Sequence, residues 1–160
     1  MIPDTPQSST EGFPPGAAAN DARRRVVRLS GQLLLDCARL ISAAVDTDLV
    51  TGSMFVAISR DNTRHITEEA LSHPHYSGLT EIPPDELRQP VSAYVLAREF
   101  SMPYETVRRH VGKLIKAGLV ERVDNGLIIP TPVHARPALI HAVDETYRVV
   151  ARFVREAAAI

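Results

Sequence analysis

The chain has 160 residues, enough for one domain with a real core or for a small domain carrying accessory helices. Apolar residues make up 44%, as in ordinary globular proteins, and no stretch approaches the roughly 20 apolar residues of a membrane helix, which argues against a spanning segment. A net charge of -1 gives no global basic field, while the single Cys37 forbids an internal disulfide and fits a reducing compartment, so the expected location is cytoplasmic.

Residues 1–20 lack Lys, Arg and an apolar core, and read neither as a signal peptide nor as a transit peptide. Four prolines among Ser, Thr and Gly give them nothing to bury, so a disordered tail is expected. Asn20 or Asp21 can cap a helix over residues 20–45, with Val26, Leu29, Leu33, Cys37, Leu40 and Ala44 three and four apart. Cys37 on that stripe reads as a buried, inert thiol, and Arg23, Arg24 and Arg25 as a solvated first turn rather than a DNA-touching arm.

A second helix is expected over residues 47–65, capped by Thr47 or Asp48, and Gly52 weakens it by about 1 kcal/mol relative to Ala. Glu68 to Ser72 can add a turn; HPHYSG and IPPDE are loop-like. His73 and His75, with His65 nearby, lack a matching Cys or carboxylate at ligand spacing, and read as polar surface rather than a metal site.

Pro90 can open a helix over residues 90–100, with Ser101 as the cap of a following helix over 104–117 that stops at Gly118. Two β-prone runs, 119–123 and 127–129, flank Asp124-Asn125-Gly126, and Asn-Gly suits a type I′ hairpin. A last helix over 134–159 places Leu139 or Ile140, Val143, Tyr147, Val150 and Val154 on one side.

Charge is uneven. Residues 88–122 hold seven basic side chains (Arg88, Arg98, Arg108, Arg109, Lys113, Lys116, Arg122) against three acidic ones (Glu99, Glu105, Glu121). A basic element on an acidic body suits phosphate docking. Val107, Val111 and Leu114 share one apolar face, which frees Tyr104, Thr106, Arg108, Arg109 and Lys113 to face outward. Arg can bind guanine O6 and N7 bidentately, whereas Lys113 and Lys116 suit phosphates. Glu105 works against phosphate approach unless it faces cytosine N4 or pairs with Arg109, its i+4 neighbour. No Gly-rich phosphate loop, nucleophile elbow or paired-carboxylate pattern occurs, so neither an enzyme nor a cofactor is expected.

Two short helices, a tight turn and a hairpin within forty residues make a helix-turn-helix with a wing. SMPYETVRRHVGKLIKAGLVERVDNGLIIP resembles the recognition helix and wing of bacterial winged-helix transcription regulators, a superfamily that includes the MarR, GntR and IclR types. The resemblance implies a mainly α fold: a winged helix-turn-helix (a three-helix DNA-binding unit with a β-hairpin wing) plus long N- and C-terminal helices. It divides the chain into a tail (1–20), a helical region (21–83), a DNA-binding unit (84–132) and a terminal helix (133–160). Tyr104, Thr106, Arg108 and Arg109 fall where such regulators touch DNA, and Arg122, Asn125 and Gly126 lie on or near the wing. The wing tip lacks Arg or Lys, which favours a backbone contact over minor-groove insertion.

The function so implied is sequence-specific binding of double-stranded DNA by a homodimeric transcription regulator, with residues 103–117 in the major groove. The terminal helices would supply the core or pair with a second subunit. A small-molecule effector, unidentified, would enter between the helical layer and the winged unit. The alternative is a winged-helix adaptor that docks a protein and binds no DNA.

Overall fold

The first and last helices of the described residues pair in antiparallel fashion, and the described residues between them build the core that Val45 and Leu139 join. The computed structural model describes residues 17–70 and 82–160, with side chains over 20–66 and 82–160. In chain order the elements are α1 (Ala17–Val45), α2 (Leu49–Ala70), a 3-10 turn (Asp85–Leu87), α3 (Ala93–Glu99), α4 (Tyr104–Lys116), β1 (Glu121–Val123), β2 (Gly126–Ile128), α5 (Thr131–His134) and α6 (Pro137–Ala158). The described residues are thus mainly helical, with one two-stranded antiparallel sheet. Residues 17–20, expected in the tail, open α1 instead, while His73 and His75 lie outside the described residues.

Asp48 caps α2 as expected, its Oδ1 accepting from the Thr51 amide at 2.9 Å. Met54, Phe55 and Ile58 of α2 then meet Val107, Val111 and Leu114 of α4, and Leu127 and Ile129 close the core from the hairpin side. Gly52 packs against Ile41 of α1, 3.6 Å from where its Cβ would sit, so a side chain is tolerated rather than excluded there. Asn62, fully buried, spends its whole amide on backbone: Nδ2 donates to the carbonyls of Gln89 (2.7 Å) and Leu127 (3.0 Å), and Oδ1 accepts from the Ile129 amide (2.9 Å). A buried Asn satisfied in this way fixes the hairpin on α2.

The segment before α3 departs from expectation. Pro90 stays outside the helix because Val91 exchanges both backbone bonds with Leu127, at 3.0 and 2.9 Å, adding a one-residue third strand to the sheet. Ser92 caps α3, accepting from the Val95 amide at 3.2 Å. Ser101 is not a cap for α4. It takes φ 50° at the end of α3, where Met102 N–H reaches the Ala97 carbonyl at 3.0 Å, and Pro103 occupies the α4 cap position with no side-chain bond.

Gly118 ends α4 at φ 63°, with its N–H on the Ile115 carbonyl (2.9 Å) and the Leu119 N–H on Leu114 (3.0 Å), the Schellman pattern. The hairpin differs from the expected type I′ turn. Its two-residue loop is Asp124-Asn125, neither with positive φ, and Val123 pairs with Gly126. Gly126 is required by proximity: at φ 150°, a Cβ would lie 2.7 Å from the Val91 carbonyl oxygen.

The helix expected over 134–159 is α6, which begins three residues later, while His134 ends the separate short helix α5. Pro137 sits in the first turn of α6, and a proline there ends the preceding helix. Arg88, counted above among surface cations, is buried beneath this joint. It donates to Asp85 Oδ1 (3.0 Å), to the Pro83 carbonyl (2.9 Å) and to His134 Nε2 (3.2 Å). Burial, reinforced by the Arg88 charge, pushes His134 down to about 4, so it is neutral and accepts from Arg88.

α1 and α6 run in opposite directions. Arg152 donates to Asp36 at 2.9 Å midway, while Val45 and Leu139, at the other ends, both enter the core. Only Leu139 and Ala142 of α6 are buried. Ile140, Val143, Tyr147, Val150 and Val154, the stripe expected on one side, do share a face, but it is exposed. Cys37 is half-buried on α1, and burial, then Asp36, raises its thiol, consistent with an inert side chain. No single described helix is long and apolar enough to cross a membrane.

Candidate nucleic-acid interface

α4 sorts its side chains cleanly. Val107, Val111 and Leu114 are buried against α2 and α3, and opposite them Glu105, Arg109, Gly112 and Lys116 follow one another at spacings of four, three and four. Arg108 flanks this line on one side, and Thr106 and Lys113 on the other. A shallow depression along the face is lined by Glu105, Thr106, Arg108, Arg109 and Gly112.

The pairing of these groups decides how much charge is left for a ligand. Arg108 Nε donates to Glu105 Oε2 at 2.8 Å, one turn back. Glu105 thus pairs with Arg108 rather than with Arg109, and Arg109 projects without an ionic partner among the described residues. Lys113 turns toward α2, where its Nζ donates to Asp48 Oδ2 at 2.9 Å. Lys116, exposed in the last turn, and Arg122, exposed on β1, form no ion pair among the described residues. Tyr104 is half-exposed at the start of α4, Thr106 is partly covered, and Asn125 stands exposed at the hairpin tip. All eight expected site residues thus share the α4 and hairpin surface; six carry no ion pair among the described residues, while Arg108 and Lys113 are already engaged by Glu105 and Asp48.

The uncompensated charge rests on Arg109, Lys116, Arg122 and, on α3, Arg98. That is less than the sequence count implied, because Arg88 is inside the fold and Lys113 and Arg108 have acidic partners. Chemically the face offers one free guanidinium fork for a planar acceptor pair, a second fork in exchange with Glu105, and flanking ammonium groups for anions.

Three groups behind α4 escaped sequence reading as a unit. Asp48 holds the Thr51 amide, Thr51 Oγ1 donates to Asp48 Oδ2 (2.8 Å), and the same oxygen lies 2.7 Å from His110 Nδ1. The Thr51 amide, then Lys113 and the Thr51 hydroxyl, hold the Asp48 carboxyl well below the usual carboxylate range. The D-x-x-T cap was readable locally, but its partners 59 and 65 residues away were not.

No protein-family model, curated protein or solved structure matches the chain.

Proposed function

We propose that this chain is a sequence-specific double-stranded DNA-binding transcription regulator on a winged helix-turn-helix, acting as a homodimer with α4 in the major groove. The single observation that carries the reading is the exposed α4 line of Glu105, Arg109, Gly112 and Lys116, mounted on a helix whose opposite face is fully buried. A major groove admits one such helix, and an unpaired Arg at its centre can reach guanine O6 and N7. The order α2, Val91 bridge, α3, α4, hairpin supports the winged reading, with the hairpin beside α4 as the wing. Exposed apolar stripes on α1 and α6 support the second subunit.

The test is selection of bound duplexes from random sequence, followed by salt-titrated binding. An Arg108→Ala/Arg109→Ala variant should lose at least about ten-fold in affinity for the selected site, given about 1–3 kcal/mol per bidentate base contact. Absence of DNA binding at low salt would leave the protein-docking adaptor, for which Tyr94 and Val95, exposed on α3, would form the surface.

A further inference from the structure

The flank of α4 nearest α2 carries more negative charge than its structural task needs. An N-cap requires only a side-chain oxygen, and Asn or Ser serves as well as Asp. Asp48 nevertheless presents a full carboxylate, and Oδ2, not needed for the Thr51 amide, accepts from both the Thr51 hydroxyl and Lys113 Nζ. Because the Thr51 hydrogen goes to Asp48, Thr51 Oγ1 is the acceptor toward His110, whose Nδ1 donates. Asp48 is thus held in place by two groups of its own helix and cannot follow Lys113 if that side chain swings away.

We propose that Asp48 is an intramolecular competitor of DNA phosphate for Lys113, lowering sequence-independent affinity while leaving Arg109 free to read bases. The inference rests on the reading of α4 as the DNA-facing helix. Lys113 is half-exposed, one turn beyond Arg109, and its ammonium can meet either a phosphate oxygen or Asp48 Oδ2, not both at full strength. The competition acts on a phosphate contact, the sequence-independent part of binding, and does not touch the line through Arg109.

The experiment uses the full chain and a fluorescein-labelled random-sequence duplex, with anisotropy followed across salt concentration. Asp48→Asn keeps the cap and removes the charge. It should tighten binding about two- to five-fold, the range of an exposed ion pair, and steepen the log affinity against log salt slope by about 0.9, one further phosphate. In Asp48→Asn/Lys113→Gln the gain should vanish, leaving the behaviour of Lys113→Gln alone. Asp48→Ser serves as a second capping variant should Asn fail to give wild-type thermal melting. An unchanged slope in the capping variants, or a gain that survives the loss of Lys113, overturns the competitor role while leaving α4 as the DNA-facing helix. Lack of binding by wild type and variants alike overturns the α4 reading itself, and the competitor role with it.

Discussion

At the scale of single residues, buried polar groups tie together segments distant in the chain. Asn62 is the clearest case, since its three amide contacts join α2 to the segment before α3 and to the hairpin. Asn62→Ala strands the buried Ile129 N–H and takes one donor each from the Leu127 and Gln89 carbonyls. An orphaned buried donor costs about 1–3 kcal/mol, and the loss expected here is about 2–3 kcal/mol. Urea unfolding measures it, and a loss below about 1 kcal/mol would mean that water or a shifted backbone replaces the amide. Ser101 tells the converse story. It occupies a left-handed position that glycine would fill without strain, so the tight joint between α3 and α4 is kept at some local cost.

At the scale of elements, what could be read from sequence was what is local. The α2 cap at Asp48, the α4 stop at Gly118 and the buried face of Val107, Val111 and Leu114 all follow from spacings of three or four residues. Where reading failed, a distant partner had overridden the local signal. Val91 is drawn from helix into strand by Leu127, and Gly126 answers to the Val91 carbonyl rather than to a type I′ turn. Arg88 is drawn inside by Asp85, Pro83 and His134. For the same reason the outward face of α4 was legible, but the diversion of Lys113 to Asp48 was not.

The joint between the 3-10 turn and α5 carries its own pH signature. His134 titrates at about 4 in the folded chain and near 6.5 when unfolded. Above 6.5 both states are neutral there. As pH falls below 6.5 the unfolded chain takes up a proton that the native chain refuses, so stability declines down to about pH 4 and this contribution then levels off. His134→Gln offers Arg88 an oxygen acceptor and cannot titrate, so its stability should fall less steeply across that window in denaturant unfolding at stepped pH. Parallel curves for variant and wild type would assign the decline to other groups.

On the scale of the whole molecule, exposed apolar residues run along both terminal helices, where the proposed second copy would pack. Along α6, Ile140, Val143, Tyr147, Val150 and Val154 recur at three and four residues and are 38–66% exposed. On α1 the line Val27, Gly31, Leu34, Ala38, Ile41, Val45 keeps the same rhythm. Its C-terminal end is packed against the core, while Val27 and Leu34 are each 71% exposed. Each line is thus exposed over much of its length, that of α6 throughout and that of α1 toward its N-terminal end. Monomers rarely leave more than a few hundred Å² of contiguous apolar surface bare, and a stable pair of chains hides about 800 Å² on each. The proposed second copy would cover this surface through an isologous helical contact. Val150→Glu or Leu34→Glu should convert a dimer to a monomer in sedimentation equilibrium with the helical signal retained; a wild-type chain sedimenting as a monomer would rule the pairing out.

Arg136 joins these scales. It is the residue from which α6 springs, and its Nη2 donates at 2.8 Å to the carbonyl of Gly118, where α4 ends. The helix proposed to pair with a second copy thus starts on a hydrogen bond to the end of the helix proposed to read DNA. In a dimer of two such chains, this contact would couple the pairing helix to the reading helix. The gap between two half-sites would be set by the stiffness of protein rather than by the compliance of a tether, and a shift of α6 would register at α4 as a change of aim.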